Sequence, residues 1–200
     1  MDKQSILGRL EEIEKRWANC EECRLSEERN GVVQWRGSPW ANLCAIGEAP
    51  GAEEDKIGRP FVGRAGRALD GLLIKAGVDP ANSIFIMNMV ACRPPQNRVP
   101  THDEINACGH RRDLLLSTVN PKVLLLVGGT AARRLAGITV ISKWRGQPIE
   151  VELVIHNEIV TYPAVATFHP SYLIRMGSNK EIAKCMIGDI TLAKELADGQ

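Results

Sequence analysis

Leu43-Cys44-Ala45-Ile46-Gly47-Glu48-Ala49-Pro50-Gly51 decides the fold. Four apolar residues, too few for a helix, run without a break into a glycine- and proline-bounded turn, which is how a fully buried strand ends. Three further runs have the same character: Ile84 to Met87, Val123 to Val127 and Ala164 to Phe168. Between and around them lie helical segments. Residues 4–18 repeat Ile6, Leu10, Ile13 and Trp17 along one face, residues 67–76 end at Gly77, and residues 103–119 follow a Thr101 to Glu104 capping-box spacing. Residues 130–135 and 179–197 complete the set, the latter opening on Ser178 and Glu181. Short strands alternating with helices require crossover connections. The expectation is an α/β fold, a three-layer α/β/α sandwich around a central four-stranded parallel sheet, in a single domain over 1–200. Alternation over 149–161 predicts a small antiparallel hairpin before the fourth strand.

The chain has 200 residues, with 25 basic and 24 acidic side chains and a formal net charge of +1. A balance this even creates no global field for a polyanion, so a nucleic-acid surface has to be local. No run approaches the ~18 uninterrupted apolar residues of a membrane span, and the first residues lack a signal-peptide layout. A cytoplasmic, monomeric protein without membrane contact is the expectation. In a reducing compartment six cysteines point to metal or cluster ligation rather than to disulfides. Cys44 lies within an apolar strand and Cys185 within the last helix, which suits small core residues.

In parallel sheets ligands bind beyond the carboxyl ends of the strands. The first strand runs into Gly47 to Gly51, the second into Asn88 and the fourth into His169-Pro170-Ser171. All three should line one rim. Taken singly each is weak, since Gly-x-x-Pro-Gly is first a tight turn and a histidine after a strand is more often structural.

The segments Gly47 to Asp55, Gly58 to Gly66, Asn88 with Cys92 to Arg98, and His169 to Leu173 together resemble the family 4 uracil-DNA glycosylases, in order and in spacing, over residues 20 to about 175. The resemblance implies a four-stranded parallel sheet between helices. It implies that uracil-containing DNA is the substrate and that the N-glycosidic bond is hydrolysed to leave an abasic site. It also implies that Cys20, Cys23, Cys92 and Cys108 ligate a [4Fe-4S] cluster. Thiolates suit zinc as well, and spacing alone does not choose.

The residue roles follow from the same resemblance. Asn88 would read the uracil edge, accepting from N3–H and donating to O4. Phe61 would carry the stacked base, and His169 would stabilise charge on O2. Ala49 stands where other uracil-DNA glycosylases have a water-activating Asp, so water positioning passes to Glu48 or Asn97, with Asn97 the first candidate and Glu48 then near the developing sugar cation. Gly47, Glu48 and Ala49 would line the pocket. Gly51 replaces a Tyr that elsewhere excludes the thymine methyl, leaving Glu54 as the candidate for that exclusion. Arg64, Arg93, Arg98 and Arg175 are candidate phosphate contacts, joined by Ser171, and Leu173 is the candidate wedge for the vacated space in DNA. His102, His110 and His156 have no comparable setting.

Three other functions compete. A relative that traps uracil-DNA covalently should have Gln for Ala49 and a histidine-containing basic insertion, and neither is present. A non-catalytic, cluster-containing DNA-binding protein leaves the combination of Asn88, Phe61 and His169 unexplained. A glycosylase with a different preferred base is separated only by assay.

Overall fold

The structure, a computed structural model, describes residues 2–199. Helix α1 (Lys3–Trp17) is capped by Asp2, whose carboxylate accepts from the N–H groups of Gln4 and Ser5. Strands β1 (Trp35–Gly37) and β2 (Leu43–Gly47) follow, then α2 (Ala52–Ile57), α3 (Arg64–Lys75) and β3 (Phe85–Asn88). Next come α4 (His102–Ala107), α5 (Gly109–Val119), β4 (Val123–Val127), α6 (Gly129–Ala136) and α7 (Ile141–Trp144). A hairpin of β5 (Pro148–Ile155) and β6 (Glu158–Thr167) leads to α8 (Pro170–Arg175) and α9 (Lys180–Asp198).

The sheet has six strands in the order β1-β3-β2-β4-β6-β5. Its centre, β3-β2-β4-β6, is parallel throughout, and these are the four expected strands. Both edges are antiparallel additions. The expected hairpin is present, but its second arm is the fourth strand itself, continuous from Glu158 to Thr167. At the other edge β1 is three residues long, and its place comes from pairing with β3, a contact no local pattern records.

Alternate side chains of each central strand enter different cores. Cys44, Ile46, Phe85, Met87, Leu124 and Leu126 meet Leu10, Ile13 and Trp17 of α1, together with Leu115 and Leu116 of α5. Ala45, Ile86, Leu125 and Val165 meet Leu69 and Leu73 of α3 and Met186, Ile190 and Ala193 of α9. That two-sided burial explains why the strands read as unbroken apolar runs.

Helix α3 begins at Arg64, three residues before the expected start, and two other helix boundaries depart from the pattern. The segment after Thr101 is two helices broken at Cys108, although the capping box forms, with Glu104 N–H on Thr101 Oγ1 and Thr101 N–H on Glu104 Oε2. The last helix is capped by Asn179, which accepts from the N–H groups of Glu181 and Ile182, while Ser178 lies in the left-handed region at φ 58°. Among the described residues no helix is long and apolar enough to cross a membrane.

Candidate active site at the strand ends

A cavity of about 680 Å³ opens where β2, β3, β4 and β6 end. Glu48, Asn88, Gly128 and His169, each at or just beyond one of those strands, line it together.

Gly47 closes β2 because the space over its Cα is taken. A Cβ there would lie 2.3 Å from Phe61 Cζ and 2.5 Å from Asn88 Oδ1. Phe61 itself holds φ at 53°, an unfavourable value for an aromatic residue, and is buried with its ring facing the cavity. Its ring centroid is 5.9 Å from that of His169. Asn88 is 2% exposed, and its Oδ1 has no hydrogen-bond donor. A buried orphan acceptor costs about 1–3 kcal/mol unless a ligand supplies the donor.

His169 caps α8 and packs on Gly128, where a Cβ would lie 2.9 Å from His169 Cβ. The φ of +98° at Gly128 is also one that a side chain would disfavour. Ser171 N–H donates to His169 Nδ1 at 3.2 Å, and Ser171 Oγ lies 2.8 Å from the same nitrogen. With Nδ1 accepting, the neutral ring carries its proton on Nε2. Burial lowers the His169 pKa to about 4; Arg175 adds to this and Glu54 opposes it. The imidazole is therefore neutral at ordinary pH. Arg175 reaches it indirectly, donating from Nη1 to Ser171 Oγ at 3.1 Å.

Glu48 accepts a short hydrogen bond from Thr130 Oγ1 of α6. Asn97 also lines the cavity; its Oδ1 accepts from Arg93 Nε at 2.8 Å, and its φ is 54°. Ala49 contributes wall and no polar group. Glu54 is 8% exposed, with Oε1 accepting from Gly63 N–H at 2.7 Å and Oε2 from Gly51 N–H at 3.0 Å. Its carboxylate thus braces the first loop against the Phe61 loop from a fixed place in the wall.

Two candidate DNA contacts sit differently from the expectation. Leu173 is 7% exposed and packs in the α3/α9 core, because the short helix α8 turns it inward. It is not placed as a wedge; Val99, 60% exposed, is the large apolar side chain at the cavity rim. Arg98 lines the cavity, but its guanidinium grips Glu104 at 2.6 and 2.8 Å and holds that carboxyl at about 2. Arg64 is exposed at the start of α3. Arg133, which no sequence motif marked, is exposed on α6 and lines the cavity, as does Thr130.

The four cysteines are linked pairwise by electrostatic interactions. Cys23 feels Cys108 and Cys20, and Cys92 feels Cys108 and Cys23, while burial pushes Cys92 up to about 12. Arg29 Nη1 donates to Cys92 Sγ at 3.6 Å. Arg111, 1% exposed, interacts with Cys108 and Cys92. Soft thiol donors flanked by two guanidiniums fit an anionic thiolate-ligated centre. Among the described residues no three His, Cys, Asp or Glu side chains converge as they would on a single ion. Cys44 is fully buried in β2, and Cys185 is half-buried in α9.

Comparison with known proteins gives the same assignment. The family described as the uracil DNA glycosylase superfamily matches residues 35–186. A type-4 uracil-DNA glycosylase of Thermotoga maritima is 40% identical over 187 residues, covering 92% of this chain and 93% of that protein. Type-4 uracil-DNA glycosylases of Sulfurisphaera tokodaii and Pyrobaculum aerophilum are each 34% identical, covering 94% and 84% of this chain and 84% and 85% of their own. The chain belongs to the uracil DNA glycosylase superfamily, among the type-4 uracil-DNA glycosylases.

Proposed function

We propose that this protein excises uracil from DNA by hydrolysing its N-glycosidic bond. The observation that carries the reading is the orphan Oδ1 of buried Asn88 inside the cavity. Uracil N3–H would supply the missing donor, while Asn88 Nδ2 donates to O4. Cytosine presents an acceptor at N3 and an amino group at C4, the reverse pattern, so both contacts would fail. Reaching this pocket requires the nucleotide to leave the helical stack, and Phe61 offers the face on which the extruded base rests.

As the bond breaks, electrons flow from the glycosidic bond into the uracil ring and negative charge builds on O2. A neutral His169 with its proton on Nε2 donates to that oxygen more strongly as the charge grows, which lowers the barrier rather than merely tightening ground-state binding. Glu48, fixed by Thr130, faces the positive charge developing on the sugar, and Asn97 positions the attacking water. The water's proton is lost after attack on the sugar cation, so orientation matters more here than a strong base. Glu54 forms the fixed wall that would meet a thymine methyl.

Arg64, Arg133 and Arg175 supply phosphate contacts, joined by Ser171 at the start of α8. The substrate is uracil-containing DNA, engaged by a monomer in the cytoplasm. Cys20, Cys23, Cys92 and Cys108 would hold a [4Fe-4S] cluster, tying the segment after α1 to the loop after β3 and to the α4–α5 junction. Hydrolysis requires no electron, so the centre's contribution is the placement of that loop.

Uracil-containing single- and double-stranded oligonucleotides, incubated with the metal-loaded protein and treated with alkali, test the reading. Cleavage at uracil and not at cytosine or thymine is expected; intact strands overturn it. Hypoxanthine and xanthine in the same assay expose a different preferred base. Iron, sulfide and zinc analysis with the visible spectrum tests the centre, and a colourless zinc protein overturns the cluster.

A further inference from the structure

Arg111, near the start of α5, is among the largest fully buried side chains and belongs to no ion pair among the described residues. A guanidinium taken out of water without an anion is strongly unfavourable. Cys108 and Cys92 act on it favourably and Arg112 unfavourably, and its hydrogen bonds to oxygen go to neutral groups. Nη1 donates to the backbone oxygen and Oε1 of Gln34 at 3.4 and 3.3 Å, and Nη2 donates to the backbone oxygen of Asn88 at 3.2 Å. Nε has no partner.

The contact with Asn88 falls where the sheet stops. Beyond the Gly47–Asn88 pair, the N–H groups of Met89 and Val90 reach the carbonyls of Gly47 and Glu48. The Asn88 carbonyl is held instead by Arg111, from the face that carries the cysteines. The residue whose side chain faces the cavity is thus anchored through its backbone to the cation beside two of the four thiols.

We propose that Arg111 is a positioning residue with two linked tasks: it balances the negative charge of the ligating thiolates, and it fixes the Asn88 backbone so that the carboxamide meets the uracil edge. The metal centre therefore reaches base selection through charge and hydrogen bonding, without any electron transfer. This rests on the reading of Asn88 as the uracil reader.

Arg111→Lys and Arg111→Gln separate the tasks, because lysine keeps the charge and loses the planar fork, while glutamine loses the charge. The readouts are iron and sulfide content, and the affinity ratio for duplexes carrying 2′-fluorinated deoxyuridine or deoxycytidine, which resist cleavage. Arg111→Lys should keep the iron, and its uracil preference should fall about tenfold, the effect of one buried hydrogen bond. Arg111→Gln should lose iron as well. Wild-type preference in Arg111→Lys, even with a lowered Tm, overturns the positioning task and leaves only a structural one. Full iron content in Arg111→Gln overturns the charge-balance task. A wild-type protein that shows no uracil preference sinks the Asn88 reading instead, and the iron content of Arg111→Gln still decides the charge-balance task.

Discussion

Ser171 N–H donates to His169 Nδ1 across 3.2 Å, and that single bond sets which nitrogen of the imidazole faces the cavity with a proton. His169→Ala should therefore lower kcat by about 100- to 1000-fold, the loss associated with one oxyanion donor. Affinity for DNA should stay nearly unchanged. Single-turnover kinetics and a binding isotherm check this, and an equal loss in both would assign His169 to binding.

The depressed pKa of His169 makes a pH prediction. The ring is neutral in the folded protein down to about pH 4, whereas an unfolded histidine titrates near 6.5. Between these values the unfolded chain binds more protons, so stability rises with pH through that window and is lost as pH falls from about 6.5 to 4. The His169 contribution to kcat should be flat from pH 5 to 8 and fall below about 4. A kcat profile with a histidine-like midpoint near 6.5 that disappears in His169→Ala would contradict the neutral ring.

Thr130 acts through Glu48. Thr130→Val removes the hydroxyl that fixes the carboxylate and should lower kcat about tenfold with little change in KM, while Glu48→Ala should cost more. Wild-type kcat in both variants would remove Glu48 from the mechanism.

The rim arginines should divide by what they already hold. Arg133→Ala should reduce the salt-dependence slope of DNA binding by about one. Arg98→Ala should leave the slope unchanged, since Arg98 is occupied by Glu104. It should instead lower stability slightly, because Glu104 loses its cation while the pair is partly exposed and screened. Salt titrations and thermal unfolding of the two variants provide the check, and the reverse pattern would contradict it.

The four central strands were legible because burial on both faces leaves apolar runs of a length only strands use. Strand β1 was not, since its pairing with β3 is a long-range fact and its three residues have no pattern of their own. The break at Cys108 was hidden inside a continuous helical period. At the site, Asn88 and His169 could be placed from strand ends alone, whereas Leu173 could not, because the inward turn of α8 depends on packing against α3 and α9. Arg133 and Thr130 belong to α6 and reach the cavity only through the order of strands β2 and β4. Arg111 looked like any helix arginine, and its burial is visible only once α5 is laid on the sheet.

Whether Asn88 reads uracil is decided by single-turnover excision by wild type and Asn88→Asp on matched uracil and cytosine oligonucleotides. Uracil excision should fall by about 100-fold or more, with the uracil-over-cytosine ratio collapsing as the Nδ2 donor that faces O4 becomes a second acceptor. Unchanged rate and unchanged selectivity in Asn88→Asp would contradict it.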